Sequence, residues 1–228
     1  MKFSTKTLAS VSIAAAVLAA APASAQVSGN IGVVNTPLAI AQTTALRTAY
    51  QQVGTTYQSQ ITTIQQRQQQ IETLLTQLDT NSDGGLDEAE QAAAQSTPQW
   101  QQIQQIEQEV GQLSNQIDLA RVYALEQILR QYSATLQQVV TQNQVQMVVA
   151  PDSVIYAAPA ADMTAKVVTA LNTAVPSVQT TPPAGWQPSR QSVSVYQQVQ
   201  QIFAIAQQQQ QQGQAQQQTP PAQQPSGR

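Results

Sequence analysis

The chain predicts an α+β fold. A small β body of three short strands carries a long antiparallel α-helical hairpin as a coiled-coil arm, and a disordered C-terminal tail follows. Three observations lead there. Two β-branched runs, Ile31-Gly32-Val33-Val34 and Val145-Gln146-Met147-Val148-Val149-Ala150, bracket the middle of the chain, and each has the length and composition of a strand. Between them a Gln-rich sequence keeps helical periodicity and is interrupted once, by an acidic stretch from Asp79 to Glu90. After residue 175 the composition shifts to Pro, Thr, Ser and Gln. If the two strands pair, the helices between them must leave the sheet and come back.

Residues 1–25 have the pattern of a secretory signal. Lys2 and Lys6 form the positive start, an apolar stretch runs from about Leu8 to Ala21, and Ala23-Ser24-Ala25 offers a small-x-small cleavage site near Ala25. The apolar stretch falls short of the roughly 20 residues that span a bilayer. The expectation is export to the periplasm with no transmembrane span after cleavage.

Residues 31–36 read as the first strand. Thr36-Pro37 then starts a helix, with Thr36 as the cap and Pro37 at the first helical position, where a missing N–H costs nothing. The first long helix is expected from Leu38 to Leu78. Tyr50, Tyr57, Ile64, Ile71 and Leu78 recur every seven residues, with Val53, Ile61, Leu74 and Leu75 filling the intermediate seam. Such a stripe lets two helices pack side by side. Gln91–Ser96 continues as helix, and Thr97-Pro98 restarts the chain with a second capping residue. The second long helix, about Pro98 to Thr141, carries Ile103, Ile106, Val110, Leu113, Ile117 and Ala120. Its stripe then shifts phase through Leu125, Ile128, Leu129, Tyr132, Leu136 and Val139, as a helix does on leaving its partner for the body.

Residues 145–150 read as the second strand. Val154-Ile155-Tyr156-Ala157 reads as a third, in a hairpin with the second across Pro151-Asp152. Asp162 caps a short helix with Met163, Val167, Val168 and Leu171 on one face. Residues 176–190 have linker composition. Residues 191–206 space Val195, Val199, Ile202 and Ala206 as a helix. An isolated helix of this length is marginal in water, so it is expected to be mostly disordered; the alternative is a segment docked on the body or on a client. Residues 207–228 are expected to be disordered, because a Gln/Pro/Ala tract cannot bury a core. The divisions are thus 1–25 signal, 26–175 folded domain and 176–228 low-complexity tail. Within the domain, 30–36 and 145–173 form the body and 37–144 the hairpin.

Composition removes several functions. The chain has no Cys and no His, which excludes disulfides, thiol or imidazole nucleophiles and His/Cys zinc sites. No convergent catalytic set can be assembled, so an enzyme is not expected. Charged residues are 9% of the chain, against about 25% in ordinary domains. Without the signal, seven basic residues stand against twelve acidic ones, a formal charge of −5. That balance offers no basic field to nucleic acid or to an anionic membrane.

Five of the twelve acids, Asp79, Asp83, Asp87, Glu88 and Glu90, fall in the midpoint loop DTNSDGGLDEAE. Its spacing matches an EF-hand loop. Asp79, Asn81 and Asp83 would offer side-chain oxygens, Gly84 the sharp turn, Gly85 its carbonyl, Asp87 a direct or water-mediated contact and Glu90 two oxygens. Leu86 takes the apolar position that packs between the helices. A single loop without a paired partner predicts modest Ca²⁺ affinity, about 10⁻⁴ to 10⁻³ M, and a stiffening role at the arm tip.

Two segments carry a family resemblance: NIGVVNTPLAIAQTTA, residues 30–45, and VQMVVAPDSVIYAAPAADMTAKVVTALN, residues 145–172. Together with the order of elements, residues 30–173 resemble the OmpH/Skp family of periplasmic chaperones. The resemblance implies a homotrimer in which strands of three chains form a body and three hairpins surround a cavity. It further implies that unfolded outer-membrane proteins are held there as clients and kept from aggregating. The chain departs from the family in its Gln-coated, acidic arm, in the acidic loop at the arm tip, and in its tail after residue 175. Two other functions fit the same elements: a structural coiled-coil protein of the envelope, and a calcium-responsive binding protein built around the loop.

Overall fold

A computed structural model describes residues 30–217; the expected signal lies outside these residues. Strand β1, Asn30–Val33, pairs in parallel with β2, Val145–Val149, and the two make a two-stranded sheet. Seven helices occur among the described residues: α1 Thr36–Ala41, α2 Thr44–Thr56, α3 Gln58–Leu78, α4 Glu88–Ala94, α5 Pro98–Gln142, α6 Thr164–Ala174 and α7 Arg190–Gln217.

The hairpin forms as its seam predicts, with α2 and α3 running along α5. At about 1.5 Å per residue, the 45 residues of α5 extend about 68 Å. The expected single helix from Leu38 to Leu78 is instead three. Thr43 is extended and its hydroxyl oxygen accepts from Leu46 N–H at 3.3 Å, so the chain caps a new helix there. This turn also lets Thr44 N–H donate to Asn172 Oδ1 at 2.8 Å. At Tyr57 the backbone departs from helical angles (φ −101°, ψ 20°), yet its N–H still bonds Val53 and its carbonyl still receives Ile61 N–H. The second interruption is therefore a kink.

The first cap is shifted by one residue. Asn35 Oδ1 accepts from Leu38 N–H at 3.0 Å, while Thr36 lies inside α1 and shares a 2.7 Å hydrogen bond with the Tyr132 hydroxyl. At the start of α5, Thr97 caps as expected, accepting from Trp100 N–H at 3.2 Å.

The third strand does not form. Pro151–Ser153 is a 3-10 turn and Val154–Ala157 runs on irregularly, with Ile155 and Tyr156 standing in solvent. The place beside β1 goes to Asp162 and Met163: Val33 bridges to Asp162, and Met163 N–H donates to the Val33 carbonyl at 2.9 Å. A strand needs a ladder partner, and residues 154–157 find none. Helix α6 begins at Thr164; Asp162 sits just ahead and accepts from Thr164 N–H at 2.8 Å. Met163, Val167 and Leu171 are buried on one face, as their spacing predicts.

The main core lies in the body. Ile40, Leu46, Leu125, Ile128, Leu171, Val167 and Val199 are fully buried in one cluster, each large side chain contributing roughly 1.5–3 kcal/mol by burial. The presence of Val199 there reverses an expectation. Residues 190–206 are an ordered part of α7, docked on α1 and α5. Residues 207–217 continue the same helix where disorder was expected; residues 218–228 lie outside the described segment.

Candidate functional site

Helix α3 ends at Leu78 and α4 begins at Glu88, so the acidic loop caps the arm as its position predicts. Beneath it lies a separate apolar cluster. Leu74, Leu78, Ala94, Ile103 and Ile106 are buried, with Leu86 and Trp100 packed against them. Leu86 thus faces the helices as the spacing implied, and Trp100 is a packing residue. Gly84 supplies the sharp turn with φ +94°, where a side chain would be strained.

The loop oxygens are occupied by the loop's own donors. Asp79 accepts from Ser82 N–H at 2.7 Å and from Gly84 N–H at 3.0 Å. Asn81 Oδ1 takes Asp83 N–H at 2.8 Å, and Asp83 takes Gly85 N–H at 3.1 Å. The Asn81 amide nitrogen reaches Asp83 at 3.1 Å and Asp87 at 3.4 Å, drawing those two carboxylates to one side of the loop. Glu90 is turned into the loop base. One of its oxygens accepts from Thr80 N–H (2.7 Å), the Thr80 hydroxyl (2.6 Å) and Asn81 N–H (3.0 Å), and the other from Asp87 N–H (3.2 Å). The Thr80 hydroxyl foremost, aided by these backbone N–H groups, holds the Glu90 carboxyl below the usual carboxylate range.

Asp87 and Glu90 together make a reciprocal capping box at the start of α4. That motif, Asp-x-x-Glu, was legible in the sequence beside the calcium spacing, and both claim the same Glu90 carboxylate. Among the described residues no three acidic side chains are grouped so as to share a metal ion. The donor types suit a hard cation; in this arrangement Glu90 serves the helix cap.

A second constellation was not anticipated. Glu126 on α5 is a buried carboxylate, and its Oε2 receives Ser189 N–H at 3.2 Å and the Ser192 hydroxyl at 2.8 Å. Its other oxygen pairs with Arg130. Burial works to raise the Glu126 carboxyl, but these three partners outweigh it and hold it below the usual range. Nearby, the Tyr196 hydroxyl donates to Asp118 at 2.7 Å. Gln127 exchanges two hydrogen bonds with the Gln179 backbone. Trp186 meets Tyr123 edge to face. The one sequence signal for this set was the short polar run before Val195, with Ser189 placed to cap.

A small parallel sheet bearing a long helical hairpin, capped by an acidic loop, defines an arm-bearing, mostly helical protein with its core at the base. The chain belongs to the OmpH-like outer membrane protein family, whose model matches residues 30–171, more than half of it. The crystal structure of the OmpH-like protein from Caulobacter crescentus CB15 is similar over 69% of this chain and 94% of that one, at 17% identity and a TM-score of 0.40, too loose a likeness to bear on details here. A search of curated proteins found no match. Residues 172–217, including α7, lie beyond the family match.

Proposed function

We propose that this chain is a periplasmic holdase that binds unfolded outer-membrane proteins and keeps them from aggregating. Membership of the OmpH-like family carries the reading. The build is consistent with it: a long arm coated in Gln rather than charge offers an unfolded chain a polar, largely uncharged surface. No helix among the described residues is long and apolar enough to cross a membrane.

The working unit is proposed to be a homotrimer. A two-stranded sheet is marginal alone, and the exposed large apolar residues of the described segment, Ile31, Met147, Ile155, Tyr156 and Ile205, all belong to the body and α7 rather than to the arm. Ile31 and Met147 are register partners on the two adjoining strands. Such a set favours burial against further copies.

The tip loop is proposed to take up Ca²⁺ through Asp79, Asn81, Asp83, Gly85, Asp87 and Glu90. Binding through Glu90 gives up hydrogen bonds that now cap α4, which argues for modest affinity. The test of function is direct. A urea-unfolded outer-membrane β-barrel protein is diluted into buffer containing the mature chain, with Ca²⁺ or with chelator, and light scattering is followed. Suppressed scattering is expected in both buffers. Unsuppressed scattering in both would replace the holdase reading with a structural coiled-coil one.

A further inference from the structure

Beyond Arg67 the arm carries charge of one sign. Residues 68–108 hold seven of the chain's twelve acids, from Glu72 to Glu107, and neither Lys nor Arg. The three ion pairs among the described residues, Arg67–Glu109, Arg121–Asp118 and Arg130–Glu126, all lie outside this zone. The tip acids are therefore left without a counter-charge, and their fields add.

Within this zone a cleft of about 410 Å³ opens between the end of α3, the loop and the start of α5, a size found among small-ligand sites. Leu75, Leu86 and Trp100 form its apolar lining. All three pack on the Leu74–Ile106 cluster yet are only partly buried. Glu72 and Asp79 line the same cleft. Glu90, which the helix cap ties up, does not.

These groups are held in place without being used up. The Trp100 N–H donates to the Thr97 hydroxyl at 3.2 Å, so the cap of α5 fixes the root of the indole. Asp79 accepts from Ser82 and Gly84 N–H, which leaves its two oxygens with lone pairs for a further donor. Glu72 lies seven residues before Asp79, on the same side of the helix. Its side chain is exposed and has no ion-pair partner among the described residues. An aromatic ring and two aliphatic side chains beside two carboxylates receive a cation on an apolar stem. Arg fits best, because a guanidinium stacks on an indole and forks onto a carboxylate while its stem covers apolar surface. An anionic guest is repelled.

We propose that the arm-tip cleft binds an Arg-bearing polypeptide segment, with the guanidinium on Trp100, Glu72 and Asp79 and a neighbouring aliphatic residue on Leu75 and Leu86. That the segment belongs to an unfolded client rests on the holdase reading; the preference of the cleft does not.

The test follows the anisotropy of a fluorescently labelled Gly/Ser peptide with a central Leu-Arg-Leu as the full mature chain is added. Chelator keeps divalent ions off Asp79, and low salt limits screening. Expected is saturable binding, about fivefold weaker when citrulline, the uncharged isostere, replaces the Arg, and weaker by a similar factor for Glu72→Gln. Glu72 is exposed, so this variant leaves the core intact. Glu88→Gln removes a tip charge outside the cleft and should leave the affinity nearly unchanged. No saturable binding, or equal binding of the Arg and citrulline peptides, would overturn the proposal. So would a Glu72→Gln chain that binds as the unaltered one does, or an equal loss from Glu88→Gln, which would reduce the effect to diffuse charge. Argininamide displacing the peptide at equal concentration would make the guest a free cation and overturn the polypeptide assignment. No client is present and no aggregation is followed, so failure here and failure of the scattering assay are separable results.

Discussion

A methyl group on Gly32 would lie 2.5 Å from Met163 Sδ and 3.3 Å from Val145 Cγ1. The close approach of β1 to the start of α6 therefore depends on a missing side chain. Gly32→Ala should cost about 1–3 kcal/mol through overpacking, read as a lower urea midpoint. At Glu126 the chemistry is protonation. Arg130 is the charged group facing it, and Ser189 and Ser192 are the polar groups from α7. Its folded-state pKa lies below the ordinary value of about 4.3. Its contribution to α7 docking is therefore complete above that ordinary value and is lost as pH falls through the lower folded-state value. Hydrogen exchange across an acid titration should show α7 losing protection in that window, and Glu126→Gln should remove the dependence. The tip carboxylates make a third residue-scale prediction. Asp79→Ala with Glu90→Ala should abolish any Ca²⁺ heat in calorimetry, and Glu90→Ala alone should also fray α4, because the cap is lost.

Along the arm, the apolar seam falls into two separate patches. Val53, Ile117 and Ala120 with Tyr57, Ile61 and Ile64 form the base, and the cluster around Leu74 and Ile106 forms the tip. Between them Arg67 and Glu109 pair at 2.8 Å with both side chains more than a third exposed, an arrangement that adds little stability. The patches should therefore respond separately. Ile106→Ala should cost about 2–5 kcal/mol and speed amide exchange in α4 and the end of α3, leaving α6 unchanged. The heptad run from Tyr50 to Leu78 was legible because the period of a seam is written within its own helix. The Thr43 cap and the Tyr57 kink were not, since each depends on how the chain meets its neighbours. Val154–Ala157 has strand composition yet joins no ladder: the chain enters the Pro151–Ser153 turn directly after β2 and returns to the sheet only at Asp162 and Met163, beside β1. Helix α7 had the right spacing, yet the surface that stabilises it, around Ile40 and Leu125, lies far upstream. The loop spacing was equally plain, whereas the orientation of Glu90 was decided by a capping box that competes for the same oxygens.

For the molecule as a whole, the proposed homotrimer predicts a mass three times that of the mature chain by light scattering coupled to size exclusion. Ile31→Asp together with Met147→Asp should shift it to the monomer, with the arm helices retained by circular dichroism. The parallel register that pairs Asn30 with Val145 and Val33 with Val149 also sets an order of assembly. Those partners are separated by the entire hairpin, and closing so long a loop directly is entropically unfavourable. Zipping α3 against α5 from the tip, where the Asp87–Glu90 box and the Leu74–Ile106 cluster join residues close in sequence, brings the strand ends together stepwise. The sheet then closes last, although its first strand precedes the hairpin in the chain. In pulse-labelled refolding, tip amides should gain protection before those of β1 and β2, and a chain emerging during export would complete its arm before its base.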